Sequence, residues 1–276
     1  MEKYLLNVFS KMSFCRHFEN YVYRKVQDKT ITIPTYLSAG QESTPCSLAE
    51  YSKENKLQPN IFIQHRGHST YLAFEACPEK LVDELLGLES GCSFGMGGSA
   101  SIQSLEKNIY GHDGLMGSQV PIAVGHCYET KHPTIVFMGD ASAEEDYVGS
   151  AIGWASTKNL PILFVVEDNN LSILTEKKVR RNWNMHELAQ AYKVEAYDIS
   201  DDPSTIIQHM NNVFKKPLLL NIRTVRKYWH SGAGIDGDYY DRYEWLKKTS
   251  TFDTTEIDEM NKNKVEALWQ SRLEKL

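Results

Sequence analysis

The chain has 276 residues and a formal net charge of −6 from 36 acidic and 30 basic side chains. A chain of this length can bury a sizeable core without disulfides or a structural metal, so we expect a single domain over residues 1–276. The acidic balance and the absence of a polybasic run argue against nucleic acid and anionic membranes as partners. No apolar run is long enough to cross a membrane.

Cysteine usage and the N-terminal sequence indicate a cytoplasmic protein. The five cysteines are odd in number and include no CxxC pair, which fits reduced thiols better than a disulfide framework or a zinc site. Residues 1–10 alternate polar and apolar side chains. They therefore predict the start of a helix, not a signal peptide.

The first half of the chain predicts helices around one short strand. Apolar residues at helical spacing predict a helix over about residues 2–27, and the run 61–63 predicts a buried strand. The segment 78–86, which has Pro78 in its first turn and Gly87 after it, predicts another helix. The small residues of 114–128 predict a helix that packs closely on a neighbour.

The central part of the chain gives the clearest prediction, a βαβ unit. A buried strand over 134–138 is followed by a turn at 139–142, an amphipathic helix over 144–157, a second buried strand over 161–166 and a second turn at 167–170. A unit of this kind implies a right-handed crossover and a parallel sheet. The predicted fold class is therefore α/β, a parallel sheet flanked by helices.

The last third predicts further helices and one more strand. Helices are expected over 185–192 and 203–214, and a strand is expected over 218–223. A charged helical tail occupies about residues 252–276, and we expect it to lie on the surface or on a partner.

Two polar turns of the βαβ unit lie where a ligand is expected. Asp140 and Asn169 each follow a predicted strand, and ligands of open parallel sheets sit beyond the carboxyl ends of the strands. A carboxylate, an amide oxygen and a backbone carbonyl suit Mg²⁺ or Ca²⁺, which would complete their shell with diphosphate oxygens. Amide groups at the start of the following helix would favour the same anion. A helix cap or a turn residue explains either side chain equally well by itself.

The Gly139-Asp140 to Asn169-Asn170 spacing resembles the thiamine diphosphate motif, Gly-Asp-Gly followed by nearly thirty residues and Asn-Asn. Further matching pieces fall in the same order along the chain: Arg16 to Glu19, Ala39 to Glu42, His65 to His68, Leu85 to Gly87, Gly97 to Ser99, Gly114 to Pro121 and Leu160-Pro161. Together they resemble the alpha subunit of the 2-oxo acid dehydrogenases of pyruvate, branched-chain and acetoin type. The resemblance covers about residues 16–230.

The resemblance implies thiamine diphosphate and Mg²⁺ as cofactors and assigns roles to individual residues. The side chains of Asp140 and Asn169 and the carbonyl of Leu171 would ligate Mg²⁺. The other implied cofactor contacts are Arg66 and His65 at the diphosphate, Gly114 and Met116 at the aminopyrimidine and the bend of the cofactor, and Ala141, Ser142 and His230.

Two histidines are candidates for catalysis under the same resemblance. His230 ends a segment similar to the family's His-containing loop near the reactive carbon, where it would orient the diphosphate or move protons. Without the resemblance, a loop histidine bonded to its own backbone is the better explanation. His68 is the second candidate, and a packing role explains it equally well.

The resemblance also implies a partner chain. In this family the glutamate that activates the cofactor comes from a beta-type subunit, so we expect an α2β2 assembly whose active sites lie at the interface. A lipoyl acyltransferase would be a further partner, and the substrate would be a small 2-oxo acid. The activity so implied is oxidative decarboxylation with transfer of the acyl group to a lipoyl or other acceptor.

Departures from the family pattern keep two alternatives open. Ala141 replaces the last glycine of the motif, and Glu144-Glu145 places carboxylates beside the expected diphosphate. A split-chain transketolase-like or acyloin-forming carboligase would use the same cofactor and metal, and a non-catalytic scaffold subunit would use neither. A nicotinamide-binding Rossmann protein is disfavoured because no Gly-x-Gly-x-x-Gly follows a first strand.

Overall fold

The computed structural model describes residues 1–232, 234–237 and 241–274. Its centre is a six-stranded, all-parallel sheet. The strands of this sheet are β1 Asn60–Phe62, β2 Ile109–Tyr110, β3 Thr134–Gly139, β4 Ile162–Asp168, β7 Glu195–Ser200 and β8 Leu218–Arg223, and they lie in the order β2-β1-β3-β4-β8-β7. A separate antiparallel hairpin consists of β5 Leu171–Ser172 and β6 Thr175–Glu176. The predicted α/β class is confirmed.

Helices cover both faces of the sheet. They are α1 Glu2–Gln27, α2 Ser43–Glu54, α3 His68–Ala73, α4 Pro78–Leu85, α5 Gln119–Thr130, α6 Asp146–Thr157, α7 Lys177–Arg180, α8 Met185–Ala191, α9 Pro203–Gln208, α10 Arg242–Thr249 and α11 Thr254–Leu273. Short 3₁₀ turns lie at Leu105–Lys107 and Ser142–Glu144.

The central strands are apolar on both faces, so the sheet separates two cores. Alternate residues of β3 and β4 point to opposite sides, as the twofold period of a strand requires. Ile135 and Phe137 face the core formed with α1 to α4 and α11, whereas Val136 and Met138 face the core formed with α5, α6 and α8. A sheet buried on both faces explains the continuous apolar runs that predicted it.

The predicted bounds of three helices were wrong at one end. Residues 114–118 are not helical: Gly114 and Gly117 have positive φ, and α5 begins only at Gln119. The helix expected from 144 begins at Asp146, because the 3₁₀ turn Ser142–Glu144 precedes it. The helix expected over 203–214 ends at Gln208. The elements that were not predicted are strands β2, β5, β6 and β7 and helices α2, α3, α7 and α10.

The C-terminal helix was expected on the surface or on a partner, and that prediction was wrong for one of its faces. Helix α11 packs along α1, and the Trp269 side chain is fully buried. Its ring stacks on Tyr21 at 5.0 Å between centroids and lies 5.7 Å from the ring of Phe18. Its charged residues occupy the other faces of the helix, which is why the composition suggested a surface element. Lys275 and Leu276, the end of the predicted tail, lie outside the described residues.

We expect Trp269→Ala to lower the free energy of unfolding by about 3–5 kcal/mol, because truncating a buried aromatic residue loses its transfer energy and leaves a cavity. Urea unfolding followed by circular dichroism measures the change. Met260→Ala is the matched control on the same helix, since Met260 is 44% exposed, and it should change stability by less than about 0.5 kcal/mol. A loss below about 1 kcal/mol for Trp269→Ala would mean that α11 adds little to the core.

Among the residues that the structure describes, no helix is both long and apolar enough to span a membrane.

Candidate cofactor site

The candidate site lies at the carboxyl ends of three neighbouring strands. The strand order reverses between β1 and β3, and the crevice at such a switch point is where ligands of open parallel sheets bind. The segment Gln64 to Arg66 follows β1, Asp140 follows β3, and Asn169 follows β4. The predicted proximity of Asp140 and Asn169 is therefore produced by the sheet itself.

A cavity of about 380 Å³ lies at this point. The residues around it include most of the predicted cofactor and metal contacts, namely His65, Arg66, Met116, Asp140, Ala141, Ser142, Asn169, Leu171 and His230. It is also lined by residues that the sequence did not single out, among them Gln64, Arg180 and Arg226.

Asp140 is the most buried acid at the cavity wall, at 1% exposure. Burial, followed by the nearby Asp168 carboxylate, raises the pKa of Asp140 to about 6. The side chain accepts a hydrogen bond from Arg180 Nη2, and the backbone carbonyl of Asp140 accepts one from Arg181 Nη1 at 3.1 Å. A buried carboxylate at the cavity wall is a candidate ligand for a hard metal ion, and Arg180 compensates its charge in this structure.

Asn169 and Leu171 lie in the tight turn after β4. Asn169 Oδ1 accepts the backbone N–H of Leu171 at 3.1 Å, and Asn169 Nδ2 donates to Gln41 Oε1 at 3.3 Å. These bonds orient the amide, and its oxygen keeps a lone pair for a further partner. The following Asn170 has a φ of 66°, a left-handed conformation that asparagine tolerates better than most residues.

Arg66 is a buried cation with a distinctive set of partners. Nη1 donates to the carbonyl of Leu37 at 2.8 Å and Nη2 to the carbonyl of His230 at 3.1 Å, and no described carboxylate pairs with the side chain. Burial, followed by the charge of Arg226, lowers the pKa of Arg66 to about 10, so the group stays charged at neutral pH. A positive charge that is fixed by carbonyls alone favours an anion in the cavity.

His65 and His230 lie beside one another at the cavity, with ring centroids 5.6 Å apart. Tyr36, which the sequence did not suggest, meets both rings edge-on at 5.0 and 5.5 Å. Burial, then the charge of Arg66, lowers the pKa of His65 to about 2 and that of His230 to about 4. Both imidazoles are therefore neutral at pH 7, and both ring nitrogens of His65 are buried without a partner among the described residues.

Gln64 and Glu167 form a buried polar pair that sequence reasoning missed. Gln64 Nε2 donates to Glu167 Oε2, and Gln64 itself lines the cavity. Burial raises the pKa of Glu167 to about 8, so the carboxyl is protonated at neutral pH. The only sequence signal was an acid at the end of an otherwise apolar strand.

We expect Glu167→Gln to stabilise the fold increasingly as pH rises from about 4.5 to 8. The folded state keeps the Glu167 proton to about pH 8, whereas the unfolded chain releases it near 4.5. The native protein therefore loses free energy of unfolding across this window, by a few kcal/mol, and the variant does not. Urea unfolding at pH 5 and pH 8 measures the difference, with the exposed Glu145→Gln as control. Equal pH dependence in both proteins would contradict a protonated Glu167.

His68 is not part of the cavity wall. The side chain is fully buried, its Nδ1 lies 3.1 Å from Glu19 Oε1, and its Nε2 lies 2.9 Å from Ser99 Oγ. Both ring nitrogens are thus engaged in a network behind the site. The structure supports the packing explanation for His68 and not a catalytic contact.

Of the two residues predicted to contact the aminopyrimidine, Met116 lies at the cavity and Gly114 is exposed to solvent. Met116 lines the cavity, and its carbonyl accepts a hydrogen bond from the Tyr147 hydroxyl. Gly114 is exposed, has a φ of 100° and is not among the residues that line the cavity. The turn that holds both residues replaces the predicted start of α5.

The structure gives a physical account of the two motif departures. Ala141 has φ −75° and ψ −40°, which an alanine adopts without strain, so glycine is not required there by the backbone. Glu144 lies 2.7 Å from Arg180 Nη1 and 3.4 Å from Arg181 Nη1. Its negative charge is compensated by these arginines, while Glu145 is exposed.

The site is thus an anion-favouring cavity with a hard oxygen donor set at the switch point of a parallel sheet. Solved transketolases share this fold: the enzyme from Campylobacter jejuni superposes with a TM-score of 0.60 at 16% identity over 98% of this chain and 46% of its own. The Leishmania mexicana enzyme gives a TM-score of 0.61 at 12% identity over 96% of this chain and 46% of its own. At such identities the likeness concerns the fold alone.

Sequence comparison defines the family. Residues 10–256 match the dehydrogenase E1 component family, and the chain belongs to that family. The alpha subunit of the pyruvate dehydrogenase E1 component of Dictyostelium discoideum is 30% identical over 179 residues, 63% of this chain and 46% of the relative. That of Zymomonas mobilis is 26% identical over 243 residues, 82% of this chain and 67% of the relative. The resemblance to alpha subunits of 2-oxo acid dehydrogenases is confirmed.

Proposed function

We propose that this chain is the alpha-type subunit of a thiamine diphosphate- and Mg²⁺-dependent enzyme that decarboxylates a small 2-oxo acid. The observation that carries the proposal is the cavity itself, which is lined by Asp140, by Asn169 and by Arg66, whose guanidinium binds two backbone carbonyls. Family membership and relatives named as pyruvate dehydrogenase E1 alpha subunits support it.

The residues present fit the implied cofactor and metal. Asp140, Asn169 and the carbonyl of Leu171 provide the carboxylate, amide and carbonyl oxygens that Mg²⁺ prefers when it shares a diphosphate. Arg66 and the single N–H of the neutral His65 imidazole, whose nitrogens have no partner among the described residues, would provide donors for the diphosphate oxygens. When bound, thiamine diphosphate supplies the electron sink that decarboxylation of a 2-oxo acid needs.

His230 is the chain's own candidate for proton movement in this reaction. Its backbone carbonyl accepts a hydrogen bond from Arg66, which holds the residue at the cavity. Its imidazole is neutral at pH 7 and so has one nitrogen that can donate a proton and one that can accept one. At this position the ring would form a hydrogen bond either to the diphosphate or to the substrate carbonyl. His68 is left out of this proposal because its ring is engaged elsewhere.

A beta-type partner completes the proposed enzyme, with an α2β2 assembly and a cytoplasmic location as further parts of the proposal. The relatives are named as alpha subunits, and the activating glutamate of this family comes from the other subunit. The acyl acceptor is proposed to be the lipoyl group of an acyltransferase.

Co-expression with a beta-type chain tests the function. The purified complex should bind thiamine diphosphate in calorimetry only with Mg²⁺, and it should reduce an artificial electron acceptor with one or more 2-oxo acids from a panel. Binding without reduction, but with a product formed from an added aldehyde, would replace the proposal by a carboligase. A complex that binds no cofactor would point to a scaffold subunit.

A further inference from the structure

Arg180 holds the carboxylate that the proposed metal would need. The residue ends the short helix α7, and its side chain is 12% exposed at the cavity wall. Nη2 donates to Asp140 Oδ2, and Nη1 lies 2.7 Å from Glu144 Oε1. The guanidinium therefore lies between an expected metal ligand and a carboxylate that departs from the family pattern.

A divalent cation on the Asp140 carboxylate would weaken the bond between that carboxylate and Arg180. A metal ion bonded directly to that oxygen repels the neighbouring cation, and in a buried site the repulsion is weakly screened. Metal binding would therefore favour movement of the Arg180 guanidinium away from Asp140. Its contact with Glu144 does not involve the metal ligand, so the side chain remains tethered at the cavity.

The other two arginines at the cavity, Arg226 and Arg66, differ in the groups to which they are already bonded. Arg226 pairs with Asp236 at 2.5 Å and also donates to the carbonyl of Ile173 at 2.7 Å. Arg66 is held only by carbonyls among the described residues. A diphosphate that enters with its metal would thus find Arg66 without a carboxylate partner among the described residues and Arg180 with a weakened bond to Asp140.

We infer that Arg180 is a diphosphate-binding residue of the loaded site, which Asp140 and Glu144 hold in place until the metal enters. The inference rests on the proposed function and adds to it a residue that the family motif does not contain. Glu144 then holds the guanidinium of Arg180 at the cavity, so that its own negative charge does not repel the diphosphate. A planar guanidinium with several donors suits this exchange between carboxylate and phosphate oxygens.

Calorimetry on the complex with its beta-type partner tests the inference through Arg180→Ala and Arg180→Lys. At saturating Mg²⁺, we expect Arg180→Ala to weaken thiamine diphosphate binding about tenfold, the value of a charge-assisted contact, with partial rescue by Arg180→Lys. Binding of Mn²⁺ alone, followed by electron paramagnetic resonance, should become tighter in Arg180→Ala, because Asp140 has lost its competing cation.

The matched control is Lys178→Ala on the same helix, since Lys178 is 77% exposed and pairs only with Glu176 among the described residues. It should change neither binding constant. Tighter Mn²⁺ binding with unchanged or stronger thiamine diphosphate binding would make Arg180 only a competitor of the metal and overturn the inference. Weaker binding of both would make it a residue that positions Asp140, which overturns it too. A wild-type complex that binds no thiamine diphosphate would instead remove the proposed function.

Discussion

Asp140→Asn is expected to lower the affinity for thiamine diphosphate at saturating Mg²⁺ by at least about 100-fold. The amide keeps the size of the side chain but removes the negative charge that the metal needs. Changes to partners outside the ligand shell already cost 10–100-fold in metal affinity, so loss of a charged ligand should cost no less. The variant also removes one of the two carboxylates that pair with Arg180, so the cation beside the metal position is left with Glu144 alone among the described residues.

Calorimetry of the complex with its beta-type partner measures this loss, and the urea midpoint shows whether the fold is retained. Glu145→Gln is the matched control, because it neutralises another carboxylate at the cavity but one that is exposed. We expect its affinity to stay within about threefold of wild type, since exposed charges are screened by solvent and salt. Equal effects of the two variants would mean that Asp140 acts only through the overall charge of the cavity.

Arg16→Leu is expected to lower the free energy of unfolding by about 3–5 kcal/mol. Arg16 is 1% exposed and binds Glu42 through two hydrogen bonds of 2.5 and 3.0 Å, and it also binds Asp241 at 3.1 Å. Removing one member of a buried ion pair leaves its partners charged in a medium that solvates them poorly, which is the costly case. Two carboxylates would lose their partner here.

The position of this ion pair also connects stability to the site. Glu42 Oε2 accepts a hydrogen bond from the backbone N–H of Gly40 at 2.8 Å, in a turn where Gly40 has a positive φ. The next residue, Gln41, accepts a hydrogen bond from the side chain of Asn169. Arg16→Leu should therefore weaken cofactor binding as well as stability.

Urea unfolding measures the stability change, and calorimetry the cofactor affinity. Arg24→Ala on the same helix is the control, because that side chain is 57% exposed and lies 4.0 Å from Glu266. It should change stability by less than about 1 kcal/mol, as exposed pairs contribute little. A similar small change for Arg16→Leu would mean that the buried carboxylates find other partners or become protonated.

The sequence by itself determined the fold class and the position of Asp140 and Asn169. Two buried apolar runs joined by an amphipathic helix predict two neighbouring parallel strands. The carboxyl ends of parallel strands lie at the same edge of the sheet. Strand β8 was predicted with its observed bounds, since four of its six residues are apolar. The motif pieces then identified the family without any knowledge of the fold.

Tertiary structure decided which charges meet at the site. Arg180 lies 40 residues from Asp140 in sequence, in a helix of four residues whose pattern has no periodic signal. Gln64 and Glu167 are 103 residues apart, and their pairing depends on the order of β1, β3 and β4 in the sheet. A side chain's burial and partners follow from such long-range neighbours, which local periodicity does not contain.

The same limit explains the errors at helix ends and at the C-terminus. Trp269 is one of four buried residues on a helix that is rich in charged side chains, and composition alone could not show that it stacks on Tyr21 of α1. His68 has the same sequence context as a site residue, but Glu19 and Ser99 hold its ring behind the cavity. Local sequence thus determined the central strands β3, β4 and β8 and the two turn residues, because hydrophobic period and strand direction are local properties. The packing of distant elements determined the electrostatics of the cavity, because charges act on whatever the fold brings within a few ångströms.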